Sequence, residues 1–408
     1  MGLLARLVEQ RWHPSSGNSA LYGAWGAASK SAAGVYVNAD SAMSIGAVFA
    51  CLRLISGTLG AVPLITYRRL KRGKEKAPEY FLYELLHDQP NEEQTALEFR
   101  EMLEGHLLLR GRAYARIDRA MGLPKRLVPI HPDNTTPDRI NGELVYRWFR
   151  NGVEPERILR PSRGEIMALS SLGGRSVIEC ARESFGLALA LEEFGAKLYS
   201  NGLLQRSVLK HPGALTDAAH NRLKDDFDAK RGLIGAGGSL ILESGMEVQE
   251  LGMTSMDAEF MASRKHQISD VARWFLVPPH MIGDTEKSTS WGTGIEQQSL
   301  GFHQHTMNYW YVLWEQVIRR DLIPQEDRQT YFSRFLVEGL LRGDIATRYA
   351  AYSIGRQWGW FSANDILELE DRNPLPGDQG DIYISPLNMV PAEDLGKEPK
   401  APKDSDKE

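Results

Sequence analysis

The glycine-rich stretch Gly232-Leu-Ile-Gly-Ala-Gly-Gly238 has the composition of a phosphate cradle. Such a cradle follows a strand and opens a helix, so that free N–H groups at the helix end face the anion. Here a predicted helix precedes and a predicted strand follows, and the Gly-Lys-Ser/Thr ending is missing, so the stretch reads as a flexible loop. His303 and His305 are two apart, which on a helix places them about 200° apart, facing away from one another. His266 and His280 have no partner at ligand spacing, so no metal site is expected. Serines and threonines crowd residues 285–293, but no Gly-x-Ser-x-Gly elbow frames a nucleophile. Tyr309, Trp310, Tyr311 and Trp314 form an aromatic cluster of the kind that stacks on bases. Base-stacking platforms interleave Lys and Arg, which are absent here until Arg319 and Arg320. Aromatic packing between helices or subunits is the better reading. No catalytic residue, cofactor site or metal site is expected.

The elements that would carry these groups follow from length and pattern. A chain of 408 residues exceeds one ordinary core and predicts two or three subdomains of soluble, folded type. The formal net charge is −5 with no extended basic block, which argues against a protein built to grip nucleic acid. Cys51 and Cys180, the only cysteines, are expected as buried free thiols in a reducing compartment. The first residues lack the pattern of a secretory signal, and Arg6 stands where an acylation motif needs Ser or Thr. Residues 45–65 are apolar enough to raise a membrane span. Arg53 in their middle costs on the order of 3 kcal/mol on insertion scales. Ile45, Val48, Phe49, Leu52, Ile55 and Leu59 recur at helical spacing, leaving Arg53 and Ser56 toward the other side, as in a core-packed amphipathic helix. No membrane anchor is expected.

Along the chain the pattern is α+β. Residues 1–34 read as a flexible arm. Residues 63–68 read as a strand and 71–76 as a solvated turn. Thr95-Ala-Leu-Glu98 is a capping box opening a helix that carries Phe99, Met102, Leu103 and Leu107 inward and ends near Gly111. Short strands follow at 113–118, 126–130, 143–147 and 165–169. A long helix over 175–201 has one face marked by Val177, Ile178, Ala181, Phe185, Leu189, Phe194 and Leu198. Leu187, Leu191 and Tyr199 leave little of its opposite face polar, so it needs neighbours on several sides. A strand at 206–210, a helix from Thr216 and a hairpin of 239–243 with 247–251 form a small insert. A second long helix, 256–276, is stopped by Pro278-Pro279. The loop 284–294 is polar apart from Trp291. A strand at 330–334 could return to the first block. Two helices occupy 338–371, the second opened by Ser362-Ala-Asn-Asp365. Residues 392–408 are charged, proline-containing and expected to be disordered.

At these residues the chain resembles the portal proteins of tailed bacteriophages. Met43-Ser-Ile-Gly-Ala-Val-Phe-Ala-Cys-Leu-Arg-Leu-Ile-Ser56, His87-Asp-Gln-Pro-Asn91, Val277-Pro-Pro-His-Met-Ile-Gly283, Gly294-Ile-Glu-Gln-Gln298, Asn364-Asp-Ile366 and Pro386-Leu-Asn-Met389 carry the likeness. Their order spans about residues 35–391. The resemblance implies a portal-type subunit: an α+β wing at 35–172, stem helices at 173–201 and 255–278, and an α/β clip insert at 202–254. A tunnel loop, a long helix and a wing return strand would occupy 279–336, and a short crown 337–391.

It further implies a non-enzymatic homo-oligomer, a dodecameric ring at one capsid vertex of the virion, assembled in the host cytoplasm. Double-stranded DNA would pass through its channel without sequence specificity, pumped in by the terminase large subunit and later ejected. The major capsid protein and a head–tail connector would be the other partners. By position, Lys287, Ser288, Thr289, Ser290, Trp291 and Thr293 are the candidate channel contacts. Trp291 would pack against a neighbouring subunit's loop or meet DNA by its face. Asp217, Lys224, Asp225, Asp226 and Asp228, on the insert's helix, are the candidates for docking terminase or connector. The alternatives are a nucleic-acid-processing enzyme with the same helical layout, which no motif supports, and a capsid-interior scaffold, against which the insert argues.

Overall fold

Among the described residues every strand pair is antiparallel, in sheets of two or three strands. The computed structural model describes residues 29–71, 73–149, 157–200, 207–210, 217–218, 220–222, 225, 247–250, 255–284, 300–337, 345–370, 372–376 and 378–384. The chain divides into two units, Met1–Val337 and Glu338–Glu408.

The first unit begins with a hairpin of β1 (Ser29–Lys30) and β2 (Tyr36–Val37), then α1 (Ala39–Met43) and α2 (Gly46–Ala61). On α2 the expected positions Val48, Leu52, Ile55 and Leu59 are buried. Two assignments are corrected. Phe49 is half exposed, and Ser56 is buried, its hydroxyl satisfied by donating to the Leu52 carbonyl at 2.7 Å. A serine can occupy a core position when the preceding turn takes its proton. β3 (Leu64–Arg69) follows, and residues 71–76 are more than a solvated turn. They close a hairpin whose second strand, β4 (Lys74–Lys76), pairs with Tyr67, Arg68 and Arg69.

After α3 (Leu82–His87), the capping box opens α4 (Ala96–Arg110). The Thr95 N–H donates to the Glu98 carboxylate at 2.8 Å and the Glu98 N–H to the Thr95 hydroxyl at 3.3 Å. The Thr95 N–H, with the Thr95 hydroxyl donating to the same carboxylate at 2.9 Å, holds the Glu98 carboxyl below its usual range. Phe99, Leu103 and Leu107 are buried as expected, whereas Met102 is exposed. The helix stops at Gly111, whose φ of 70° suits glycine and whose missing side chain leaves room for the Arg175 backbone.

Six strands follow: β5 (Arg112–Ala120), β6 (Leu123–Ile130), β7 (Thr135–Ile140), β8 (Glu143–Trp148), β9 (Arg157–Leu159) and β10 (Ile166–Ser170). They make two sheets, ordered β10-β5-β6 and β7-β8-β9. Tyr114, Ile130, Leu159 and Ile166 form a small core, with Tyr146 and Trp148 packed against it.

The first long helix is broken in two. α5 (Val177–Cys180) leaves helical geometry at Ala181, where ψ is 14°, and α6 (Arg182–Ser200) continues. No proline or glycine announces the break; Ile178, Ala181 and Phe185 stay buried on both sides of it. Cys180, expected to be buried, is exposed, whereas Cys51 is buried and its thiol is pushed up to about 12 by burial. β11 (Ser207–Lys210) pairs with β12 (Glu247–Glu250). The expected partner strand at 239–243 and the glycine-rich 232–238 lie outside the described residues.

α7 (Ser255–Trp274) and α8 (Asn308–Asp321) complete the helical core, in which Phe185, Val271, Phe275, Trp314 and Ile318 join the α2 and α4 faces. β13 (Tyr331–Phe335) returns to pair with β3, Phe332 opposite Tyr67 and Ser333 opposite Thr66, giving the sheet order β13-β3-β4.

In the second unit, α9 (Ile345–Gln357) and α10 (Ala363–Leu369) meet around Gly359. Ser362 and Asp365 form the expected capping box, and Glu370 ties the pair by accepting from Arg348 at 2.9 Å and Tyr352 at 2.8 Å. No helix among the described residues is long and apolar enough to cross a membrane.

Candidate functional site

The two long helices α6 and α7 are locked together by polar groups. The Ser184 hydroxyl donates to the Asp270 carboxylate at 2.5 Å, and the Gln267 amide donates to the Ser184 carbonyl at 2.9 Å and its hydroxyl at 3.1 Å. Gln267 is buried, so its alignment with Ser184 fixes the register of the helices: sliding either one strands an amide. Below this lock the Phe185 and Phe275 rings stack 6.2 Å apart.

Both anchors of the polar loop are held as well. α7 ends at Trp274, and Leu276 then adopts φ of 55°, the left-handed region that a leucine enters at a cost. Pro278 and Pro279 cannot continue the helix. The chain instead makes a tight turn at Pro279–Ile282, ended by Gly283 at φ of 90°. The Ser269 hydroxyl then holds the Asp284 carboxylate at 2.7 Å. On the far side of the loop, Phe302–Met307 forms a π-helical turn that leads into α8. Its Thr306 hydroxyl donates to the Leu276 carbonyl at 2.5 Å, tying the two anchors to each other. His303 lies half-buried in this turn, and burial lowers its pKa; His305 is exposed. Among the described residues no group of three or more His, Cys, Asp or Glu is placed to hold a metal.

α8 is fastened at both ends. The Trp314 indole donates to the Glu104 carboxylate at 2.8 Å, and Tyr311 packs on Phe335 with ring centroids 5.0 Å apart. Tyr311 and Trp314 are therefore core residues, Trp310 packs at its margin and Tyr309 is exposed. Glu104 is wholly buried, and burial, opposed in part by the indole N–H, pushes its carboxyl up to about 8. Sequence reasoning missed it, although Arg100 lies three residues before Leu103 and Glu104 three before Leu107 on the buried face. At the other end of α8, Arg320 donates to the Ala168 carbonyl at 2.7 Å, and Asp321 accepts from the Ala168 N–H at 3.1 Å.

On α6, Phe194 falls on the same side as Leu187 and Leu191, not opposite them as the sequence pattern suggested. Leu187 and Phe194 are 49% and 53% exposed, and Leu191, four and three residues from them, is half-buried. Of the sequence-derived candidates, Asp217 and Asp225 sit in helical backbone and are exposed. Lys224, Asp226 and Asp228 lie outside the described residues, as do Lys287, Ser288, Thr289, Ser290, Trp291 and Thr293.

Comparison with known proteins converges on one family. The family model described as "Phage portal protein" matches residues 46–371. The portal protein of Enterobacteria phage HK97 is 35% identical over 380 residues, covering 89% of this chain and 87% of that protein. The probable portal protein of Streptomyces phage phiC31 is 30% identical over 396 residues, covering 90% and 83%. Among solved structures, a chain in the neck of a native gene transfer agent particle, computed with C12 symmetry, is similar in fold. Its TM-score is 0.53 at 19% identity, covering 87% of this chain and 99% of that one.

Proposed function

Because the chain belongs to the phage portal protein family, we propose that twelve copies close into a ring at one capsid vertex of the virion. Double-stranded DNA is packaged through its channel by the terminase and later ejected, with no chemistry performed by the ring itself. The ring assembles in the host cytoplasm and meets the major capsid protein and the head–tail connector.

The observation that supports this reading is the exposed apolar surface of Leu187 and Phe194 on α6, with half-buried Leu191 between them. Burying the exposed half of Leu187 or Phe194 is worth on the order of 1 kcal/mol per side chain, and each copy in a ring repeats the gain. A cyclic arrangement needs a head-to-tail interface, in which this patch meets a different surface of the next copy. The twelvefold symmetry of the similar neck structure supports that count. Negative-stain microscopy with native mass spectrometry should show rings with a central hole. The double variant L187E/F194E should keep its helical circular dichroism and lose the rings. A wild-type dimer with a closed cleft, or rings that persist in the variant, would sink the reading.

Within the ring, residues 35–172 and the return strand serve as the wing, 173–201 and 255–278 as the stem, 202–254 as the clip and 337–391 as the crown. The clip candidates Asp217, Lys224, Asp225, Asp226 and Asp228 dock the terminase or the connector. Lys287, Ser288, Thr289, Ser290, Trp291 and Thr293 face the channel. Lys287 is adjacent to Glu286, so the loop is near neutral and touches a sliding phosphate backbone only weakly. Replacing residues 288–293 by a Gly-Ser linker should leave the rings intact and lower the yield of retained DNA.

A further inference from the structure

We propose that one face of the β4-β3-β13 sheet is a second DNA contact, which grips the phosphate backbone of a duplex without reading its bases. The proposal rests on the portal reading, which supplies the DNA.

The expectation of no basic block is corrected at one place: six of the nine residues from Arg68 to Lys76 are basic, and Glu75 is the only acid among them. In a chain of net charge −5 that is a local reversal of sign. The strand register sorts these charges by face. Arg68 lies opposite Glu75 and is paired with it. Arg69 lies opposite Lys74, and Tyr67 lies opposite both Lys76 and Phe332. Arg334, two residues beyond Phe332, lies opposite Ile65. Side chains two apart along a strand share a face. Arg69, Lys74, Lys76 and Arg334 therefore lie on one face, around Tyr67 and Phe332, and all four are exposed.

Two of these cations are braced. The Lys74 ammonium sits 4.2 Å from the Tyr67 ring centroid and the Arg69 guanidinium 4.7 Å from that of Phe332. The two rings stack 5.7 Å apart. Braced heads lose less freedom when they bind an anion. Glu75, between Lys74 and Lys76, is engaged by Arg68, and Glu315, which accepts from the Phe335 N–H at 3.0 Å, faces Arg334 and Lys74 and offsets one charge.

Lysines on an edge strand also discourage unwanted strand pairing, which would account for Lys74 and Lys76. It does not account for Arg69 on the central strand, nor for placing Arg69 and Lys74 directly opposite each other. Like charges in that position cost stability, a cost that a bridging anion offsets. Alternate residues on a strand are about 6.8 Å apart, and each DNA strand carries a charge about every 3.4 Å along the axis, so the patch spans several phosphates. Contacts spaced along phosphates in this way carry no sequence information, so the contact is one to the backbone.

The test compares wild-type protein with R69A/K74A/K76A/R334A by fluorescence anisotropy of a labelled 30-base-pair duplex across a salt series. Microscopy of both proteins tests the ring reading separately, so absent rings would fail that reading whatever the DNA result. Four phosphate contacts contribute about −3 to −4 to the slope of log K against log salt. The variant should lose that much slope and keep whatever the channel supplies. Equal slopes in two folded proteins overturn the proposal. Should the variant fail to fold, acetylation of wild-type protein read by mass spectrometry decides instead. The duplex should protect Lys74 and Lys76 several-fold, and no protection overturns the proposal. Polyglutamate competing as well as unlabelled duplex would assign the face to an acidic protein surface and likewise overturn it.

Discussion

Glu104 shows most plainly what a single residue can do in this fold. Its carboxyl is buried against the Trp314 indole and titrates at about 8, against about 4.3 for a free glutamate. The folded state therefore holds a proton that the unfolded state releases, and stability falls as pH rises between those two values. His106 and His303, both lowered by burial, act with the opposite sign, but only below about pH 6.5, where an unfolded histidine charges. The window from pH 6.5 to 8 therefore leaves the histidines behind and is governed by the carboxyls that burial raises, Glu104 foremost, with Glu179 and Glu315 also raised. Over it the wild type should lose about 2 kcal/mol, and Glu104→Gln, which still offers Trp314 an oxygen, should flatten the loss; thermal unfolding at the two pH values measures both. The sequence disclosed the Thr95 cap and the separation of His303 from His305, because each depends on neighbours within one turn. It did not disclose that Phe49 and Met102 are exposed or that Ser56 and Glu104 are buried. Those outcomes depend on which side of a helix a distant element covers, and periodicity alone does not say.

Most of the elements were legible because apolar spacing, proline stops and glycine turns are local signals. The break at Ala181 was not, since nothing in its own sequence requires it. The joint at the polar loop was legible only on one side: Pro278-Pro279 announced the end of α7, but the π-helical turn at Phe302–Met307 has no comparable mark. Two substitutions probe this joint with opposite signs. Leu276 is exposed and left-handed, so Leu276→Gly should raise stability by about 0.5–1 kcal/mol, the left-handed penalty relieved less the entropy of glycine. Thr306→Val removes the hydroxyl from the Leu276 carbonyl and should cost about 1 kcal/mol. Chemical denaturation of the two variants reads both effects. A common sign would mean that the joint is not held as its geometry indicates.

At the scale of the whole molecule, the fold class followed from the order of elements, whereas the surfaces that matter most for assembly did not. The sequence set Phe194 opposite Leu187 and Leu191 on a helix buried nearly all round, whereas the three share one side, on which Leu187 and Phe194 are half exposed. If copies cover it, the folded state is stabilised by mass action. The melting temperature should then rise with protein concentration in the wild type and be independent of it in L187E/F194E; scanning calorimetry over a hundredfold range of concentration tests this. The return of β13 to β3 has a consequence in time. Thr66 and Ser333, which share a hydrogen bond of 3.1 Å, are 267 residues apart. At about 5–20 residues per second, the ribosome needs on the order of 13 to 53 seconds to make the intervening chain. Throughout that interval β3 exposes an unpaired edge, which is a template for mispairing. A nascent chain of this protein is therefore exposed to chaperones until Tyr331–Phe335 emerges, and a truncation before residue 331 should be found in the insoluble fraction rather than as a smaller soluble subunit.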